Sequence, residues 1–523
     1  MAYTLRLRMS TASRLISGSA ASWAQIIVTL LSQVALVPIY LSHWSVVTYG
    51  TWLAIQALFS ITAMLDYGHQ EFLGFEFLRI GRDNPRELSR CIWSGASAGL
   101  FISLVQLGLL LLVLRTGFLP VLLGKSAAVT PALLHEASLV LLSQSVAWLL
   151  STSVTGLLFR ALAPFGYYPR MAWWNLIGSI LSTLAPVVAV LLGAKLLVTG
   201  LVTAGVSILF SIPIYLDLFR LLRREKVPFS RPSAQLAGQN MLRSLAVSGK
   251  WLLENARQQG VRLILAPLAG AVGLTAFSTM RTGANVALQG LNTIVNPLMP
   301  ELMRFLHQRD QVRVESAFST VWFVLVAVLA PAMVVIQAFV EPLYLLWTRG
   351  RVPFNPLLFA TLSLSVLIYA LAQPAVAVTK GNNLLRPQLL LALLAALLVV
   401  GGVYLLVPPL GIVGAGITLV LAEIAATVGY QVVAQRWLRQ NDLRWPQQPF
   451  ALAIVSVVLA MLAMGALVLL PQAKWVILPL ALLLLAGNLW RYWQSLPTLA
   501  TQNALKIVSN LPGIRKMYLF GKA

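Results

Sequence analysis

Fourteen apolar stretches, each about twenty residues long and parted by short polar turns, leave this chain one class of fold. A helix of about twenty residues crosses a bilayer. The stretches lie at 17–40, 49–68, 91–114, 135–157, 173–193, 197–219, 244–266, 272–299, 317–338, 357–379, 389–407, 411–435, 450–470 and 475–493. None alternates apolar and polar residues as a strand of a membrane barrel does. The expected fold is therefore all-α and polytopic, with about 14 transmembrane helices. Only 10% of the residues are charged, against about 25% in a soluble domain.

The basic residues test the span count. With the N-terminus inside, 28 of the 38 Lys and Arg fall in cytoplasmic segments and 6 in outer ones. That bias is the positive-inside pattern. It also argues against nucleic acid as a partner, because the net charge of +23 is spread through short loops instead of gathered in a patch. The stretch 244–266 reads by hydropathy alone as a surface amphipathic helix. If it failed to cross, every later loop would change sides and the downstream bias would invert, so 244–266 and 272–299 are expected to cross together. The longest inner loop, 220–243, is basic and suits anionic headgroups. The small residues at 17–22 precede the first apolar run, so no cleaved leader is expected.

The four remaining cations, Lys250, Arg257, Arg262 and Arg281, lie inside spans seven and eight. A charge at the bilayer centre costs from about 2.5 to 17 kcal/mol on different scales. Lys250, Glu254 and Arg257 follow i, i+4, i+7 spacing and share one stripe. In span eight, Arg281, Asn285, Gln289, Asn292 and Asn296 fall within an arc of about 80°. Glu254, Arg257 and Arg281 all sit near mid-depth. A cationic set of this kind is expected to face a wet cavity and to receive an anion. The plainer reading is that Glu254 neutralises Lys250 and Arg257 within the helix, but one carboxylate cannot balance three cations.

Neutral polar faces stand opposite. Ser22, Gln25, Thr29, Ser32 and Gln33 share one face of span one, and Gln144, Ser151 and Thr155 one face of span four. Amides and hydroxyls suit sugar hydroxyls, which donate and accept; close helix packing through small polar residues is the alternative. Seven of the fifteen tryptophans, Trp44, Trp52, Trp173, Trp174, Trp347, Trp475 and Trp490, fall near expected membrane interfaces and read mostly as belt anchors. Asp66 near the inner end of span two, Glu254, and Glu423 in span twelve are candidate coupling carboxylates, with capping and helix pairing as the plain alternatives. Asp217 reads as a surface partner of Arg220 and Arg224. Cys91 is the only cysteine, and the four histidines show no ligand spacing. No Walker A sequence occurs and no outer loop holds paired carboxylates, so neither ATP-driven transport nor glycosyl transfer is expected. A faint repeat relates Ser17–Gly68 to Leu245–Asn296 at an offset of 228, with Tyr49-Gly50 opposite Phe277-Ser278.

Four short motifs resemble a known family: Val37-Pro38-Ile39-Tyr40-Leu41-Ser42, Tyr49-Gly50-Thr51-Trp52, Leu65-Asp66-Tyr67-Gly68 and Asn296-Pro297-Leu298-Met299-Pro300-Glu301. With the span pattern, they are similar to the polysaccharide transporter branch of the MOP flippase superfamily, and within it to Wzx-type O-antigen flippases. The resemblance implies two pseudo-symmetric six-helix lobes, 1–220 and 221–446, around a central cavity. Two further helices and a basic cytoplasmic tail occupy 447–523. It implies passage of an undecaprenyl-diphosphate-linked oligosaccharide from the cytoplasmic to the outer leaflet of a bacterial inner membrane. No cofactor is implied, and polysaccharide polymerase machinery is a potential partner. Lys250, Arg257 and Arg281 would then take the diphosphate, whose oxygens match the guanidinium fork. Gln25, Thr29, Gln33, Gln144, Asn285, Gln289 and Asn292 would face sugar. Rivals are a cation-coupled drug exporter of the same fold, which would need an acidic cavity, and a non-transporting subunit of a secretion complex. The lipid II flippases are a third, though residues 17–68 hold no Lys or Arg.

Overall fold

Inside a bilayer every backbone polar group must find its partner within the protein, and a helix does this residue by residue. The structure is a computed structural model. It describes residues 11–123, 130–382, 384–497 and 501, and within these it leaves out the side chains at 11–19, 22, 118, 122–123, 257–258, 287 and 290–301. Among the described residues there are helices and no strands. They are α1 (Thr11–His43), α2 (Val46–Ile80), α3 (Pro85–Arg115), α4 (Phe118–Leu123), α5 (Pro131–Leu150), α6 (Thr152–Ala161), α7 (Tyr168–Leu191), α8 (Leu196–Arg224), α9 (Ala234–His307), α10 (Gln311–Val324), α11 (Ala330–Trp347), α12 (Pro356–Gly381), α13 (Leu385–Leu410), α14 (Ile412–Gln440), α15 (Gln447–Leu469) and α16 (Lys474–Gln494). Thirteen helical stretches are long and apolar enough to cross a membrane. The chain is a multi-pass membrane protein.

Local chemistry sets where several helices begin. Ser45, Thr130, Asp310 and Asn355 each accept the amide N–H three residues on, at 2.9–3.2 Å. These bonds satisfy one of the donors left open at a helix start. Pro131 and Pro356 follow two of these caps, at the position where a missing N–H costs nothing. Between α10 and α11 a π-turn at Leu325–Leu329 precedes Pro331, whose ring would otherwise strike the preceding turn.

The expectation of fourteen spans differs from thirteen at one place. That place is α9, in which two helices join at a kink at Gly270, with φ 70° and ψ 177°, between the expected spans 244–266 and 272–299. A side chain is strained at that φ, so glycine is the residue that permits the break.

The chain forms two compact units, Met1–Thr275 and Ala276–Ala523. In the first, α1 packs on α7, α5 on α8, and α2 against α3 and α6. A core of Leu73, Phe77, Leu88, Ile92, Leu157 and Leu218 closes one end. The beginning of α9 runs antiparallel to α2: Ser244 meets His69, Asn255 meets Ser60, and Thr275 reaches Val46. Two glycines on α2 permit this approach. A Cβ on Gly50 would collide with the Ala271 carbonyl, and one on Gly68 with the Ser248 backbone. They are 18 residues apart, five full helical turns, and so share one face.

In the second unit α14 packs on α12 and α13, and α15 and α16 pack on each other and on α11. Trp322 is buried against Trp445 and Phe450, and its indole donates to the Leu371 carbonyl at 3.0 Å. Tyr492 of α16 donates to the Ser319 carbonyl at 2.7 Å, tying the last helix to α10. The second part of α9 lies beside α11 and α12, with Thr279 and Tyr344 hydroxyls 2.7 Å apart and Gly283 facing Phe359.

Candidate functional site

A cavity of about 550 Å³ opens inside the first unit, between α2, α5, α6, α7 and α8. Span four, which lines it, is not one helix. At Ser151, with φ −116° and ψ −81°, α5 ends and α6 begins. The carbonyls this break exposes are taken up by Tyr215, which donates to Leu150 O at 2.9 Å and Ser151 O at 3.2 Å. Irregular backbone at membrane depth is tolerated where it is buried in protein or lines a cavity. Here the break turns Ser151 toward Ser207, 3.2 Å away across the lining.

The walls combine aromatic rings with amides and hydroxyls. Gln56 donates to Gln144 at 3.3 Å, and both line the cavity. Phe59 and Trp148 meet edge to face at 5.8 Å, Trp174 and Phe210 at 5.7 Å. Among the described residues, none that lines the cavity carries a charge.

The charges stand behind the wall. Asp66 is fully buried. Its Oδ2 accepts from the Trp148 indole at 2.9 Å and from Gln70 at 3.0 Å. Gln70 in turn accepts from Arg160 at 3.0 Å, and Arg160 also donates to the Gly156 carbonyl and lies 5.1 Å over the Tyr67 ring. His69, also buried, bridges Ser244 and the Gly95 carbonyl. Across the cavity Asp217 holds Arg170 in a two-point pair at 2.5 and 2.8 Å and accepts from the Trp174 indole at 2.9 Å. The reading of Asp217 as a surface partner of Arg220 and Arg224 is thus corrected. Its hydrogen-bonded partners are Arg170 and Trp174 on α7, brought to it by α7–α8 packing.

The residues named from sequence divide as follows. Gln144, Ser151 and Thr155 line the cavity. Gln25, Thr29 and Gln33 are half-buried on α1 and are not in its lining; the Thr29 hydroxyl bonds the Gln25 carbonyl of its own helix at 2.9 Å. Lys250 and Glu254 are half-buried in the first unit, on the part of α9 that follows α2. Arg281, Asn285 and Gln289 are half-buried in the second unit, where the Arg281 guanidinium is 5.8 Å from the Phe277 ring. Glu423 is half-buried on α14. The side chains of Ser22, Arg257, Asn292 and Asn296 lie outside the described residues. Arg262 bonds Gln259 on its own helix at 2.9 Å, and its enclosed Nε meets no acceptor among the described residues.

Sequence reasoning missed Arg160, Trp148 and Trp174 as parts of one assembly. Asp66, His69 and Gln70 share i, i+3, i+4 spacing on α2, which was a readable signal. The Trp148 partner of Asp66 and the Arg160 partner of Gln70 come from 82 or more residues away on α5 and α6, and no local pattern marks them.

No family model matches the chain, and no curated protein matches it in sequence. Solved structures do match in fold. A lipid II flippase MurJ in an inward closed conformation superposes with a TM-score of 0.62 at 13% identity, over 91% of this chain and 99% of its own. An inward-facing multidrug resistance MATE family transporter of the MOP superfamily gives 0.60 at 14% identity, over 80% and 95%. A MATE protein in a straight conformation gives 0.51 at 15%, over 82% and 96%. The fold of this chain is the fold of those transporters.

Proposed function

We propose that the protein is a MOP-type flippase that carries an undecaprenyl-diphosphate-linked oligosaccharide from the cytoplasmic to the outer leaflet of a bacterial inner membrane. The observation that carries this reading is the fold shared with a lipid flippase along nearly the whole of both chains. Two features of the residues support it. Lys250, Arg257 and Arg281 are three cations in the stretches read from sequence as spans seven and eight, where a diphosphate would reward positive charge held away from water. The cavity in the first unit offers amides, hydroxyls and aromatic rings without a charged group, the surface a neutral glycan needs.

In this reading Lys250, Arg257 and Arg281 neutralise the diphosphate during passage. Gln144, Asn285, Gln289 and Asn292, with Gln25, Thr29 and Gln33, exchange hydrogen bonds with sugar. Asp66, Glu254 or Glu423 couples transport to an ion. Both termini are cytoplasmic, and the polymerase that consumes the flipped glycan is a natural neighbour.

A second reading rests on the MATE neighbours of comparable TM-score: a cation-coupled exporter of small molecules. Its substrate would have to bypass the uncharged cavity and the three cations. The two readings separate in one experiment. A strain lacking its own flippase receives wild type, Arg281→Ala or Arg281→Lys, and surface glycan is scored with membrane abundance. The flippase reading expects glycan from wild type, none from Arg281→Ala at equal abundance, and partial return with Arg281→Lys. Glycan restored equally by all three removes the cationic argument. No glycan from any, together with efflux of ethidium or another organic cation, establishes the exporter.

A further inference from the structure

Two of the tryptophans lining the cavity, Trp148 on α5 and Trp174 on α7, share an arrangement that packing alone does not require. Each indole N–H is 2.9 Å from a carboxylate, Asp66 for one and Asp217 for the other. Neither carboxylate is among the lining residues. Each ring therefore has its single polar edge tied behind the wall, and the surface it adds to the cavity is carbon. A tryptophan held in this way keeps one orientation and presents a rigid apolar plane.

Elsewhere in the same lining the polar groups come in adjacent pairs. Gln56 and Gln144 stand 3.3 Å apart and Ser151 and Ser207 3.2 Å apart. An amide or hydroxyl pair at such spacing offers a donor beside an acceptor, which is what neighbouring hydroxyls on a sugar ring meet. The volume of about 550 Å³ lies within the range of small-molecule sites. Among the described residues, the lining has no cation for a phosphate and no acid for an organic cation.

We propose that this cavity is a pyranose-binding subsite in which Trp148 and Trp174 hold a neutral sugar residue between fixed ring planes. It rests on the proposed glycan transport and assigns one step of it. A sugar residue of the glycan lodges in the first unit, while charge recognition belongs to the cations of α9. Sugar C–H groups pack on the rings and hydroxyls bond the paired amides and hydroxyls. The buried Asp66–Gln70–Arg160 and Asp217–Arg170 groups are positioning residues, acting through the two indoles.

The test uses full-length protein in lipid nanodiscs and saturation-transfer NMR with free methyl glycosides of glucose, galactose, N-acetylglucosamine and rhamnose. Wild type is expected to give saturable transfer to at least one glycoside, strongest at the C–H protons of one ring face. Trp148→Ala with Trp174→Ala should weaken it by about tenfold, and Trp148→Phe with Trp174→Phe by less. Asp217→Leu, which takes the acceptor from the Trp174 indole, should lower the signal without removing a ring. Size-exclusion elution reports folding, and if the double alanine variant aggregates the single ones replace it. The proposal is overturned if no glycoside receives transfer from wild type, if the alanine variants bind as wild type does, or if tetraphenylphosphonium binds and expels the sugar. The two readings fail separately. Full surface glycan from a variant that has lost sugar contact removes this subsite and leaves the flippase. Sugar contact in a protein that restores no glycan removes the flippase and leaves the pocket.

Discussion

Gly68→Ala and Gly249→Ala are the same chemical change five residues or fewer from the same contact, yet they should move stability in opposite directions. A Cβ at position 68 would fall on the Ser248 Cα and amide nitrogen, backbone atoms with no rotamer to retreat to. The two helices must separate instead. Overpacking of this kind costs about 1–3 kcal/mol. Separation also strains Ser248 Oγ donating to the Leu65 carbonyl at 2.9 Å and the His69–Ser244 contact at 3.0 Å. Interhelical hydrogen bonds in a membrane average about 0.6 kcal/mol each. Replacing helical glycine with alanine returns about 1 kcal/mol, leaving a net loss of about 1–3 kcal/mol. At Gly249 a Cβ meets nothing within 4 Å, so only the helical gain of up to about 1 kcal/mol remains. Unfolding in rising mole fractions of SDS, followed by circular dichroism, should show Gly68→Ala less stable than wild type and Gly249→Ala equal or more stable. Equal stability of the two variants would refute the close approach of α2 and α9.

Three further outcomes are expected. Gly270→Ala meets no steric neighbour, so its effect is that of a side chain at φ 70° alone, a loss of about 1–2 kcal/mol measurable in the same SDS titration. Asp217→Asn keeps an acceptor for Trp174 but gives up the two-point pair with Arg170. Charged hydrogen bonds contribute about 1.5–3 kcal/mol, and with the Arg170 side chain 52% exposed screening reduces this to about 1 kcal/mol, read as a lowered midpoint in thermal unfolding. Tyr167, in the turn before α7, donates to Glu225 at 2.5 Å. Burial and this carboxylate push its phenol above the ordinary value. A raised pKa adds stability that is full below the unfolded value and is lost as pH rises through the folded one. Tyr167→Phe should therefore remove part of the decline in thermal stability on the alkaline side and leave its acid side unchanged.

The helical spans were legible because length, apolarity and loop charge are summed over many residues, and an error at any one position averages out. The joint in α9 was legible too: 244–266 and 272–299 read as separate helices, and the non-helical angles at Gly270 break the backbone between them. Gln144, Ser151 and Thr155 could be grouped by helical spacing, and all three line the cavity although α5 ends and α6 begins at Ser151. Trp173 and Trp174 show where such reasoning ends. They are adjacent in sequence and both read as belt anchors, but about 100° of helical rotation leaves Trp173 44% exposed and turns Trp174 into the cavity. Arg160 was counted as a loop charge, since the orientation rule treats any arginine near a helix end alike. Its bond to Gln70 depends on the packing of α2 against α6.

The seam between α2 and α9 also has a history in time. His69 and its partner Ser244 are 175 residues apart. At about 5–20 residues per second of synthesis, α2 waits about ten to thirty-five seconds for the helix that will cover it. Throughout that interval it has left the ribosome with two glycines and a histidine on an unpaired face. One nitrogen of that histidine finds the Gly95 carbonyl of α3 early, 26 residues on, but the other has no Ser244 to meet, so the growing chain must keep this face of α2 sheltered, by its own earlier helices or by the insertion machinery. The gene order of the helices thus makes assembly of this unit wait for its last member.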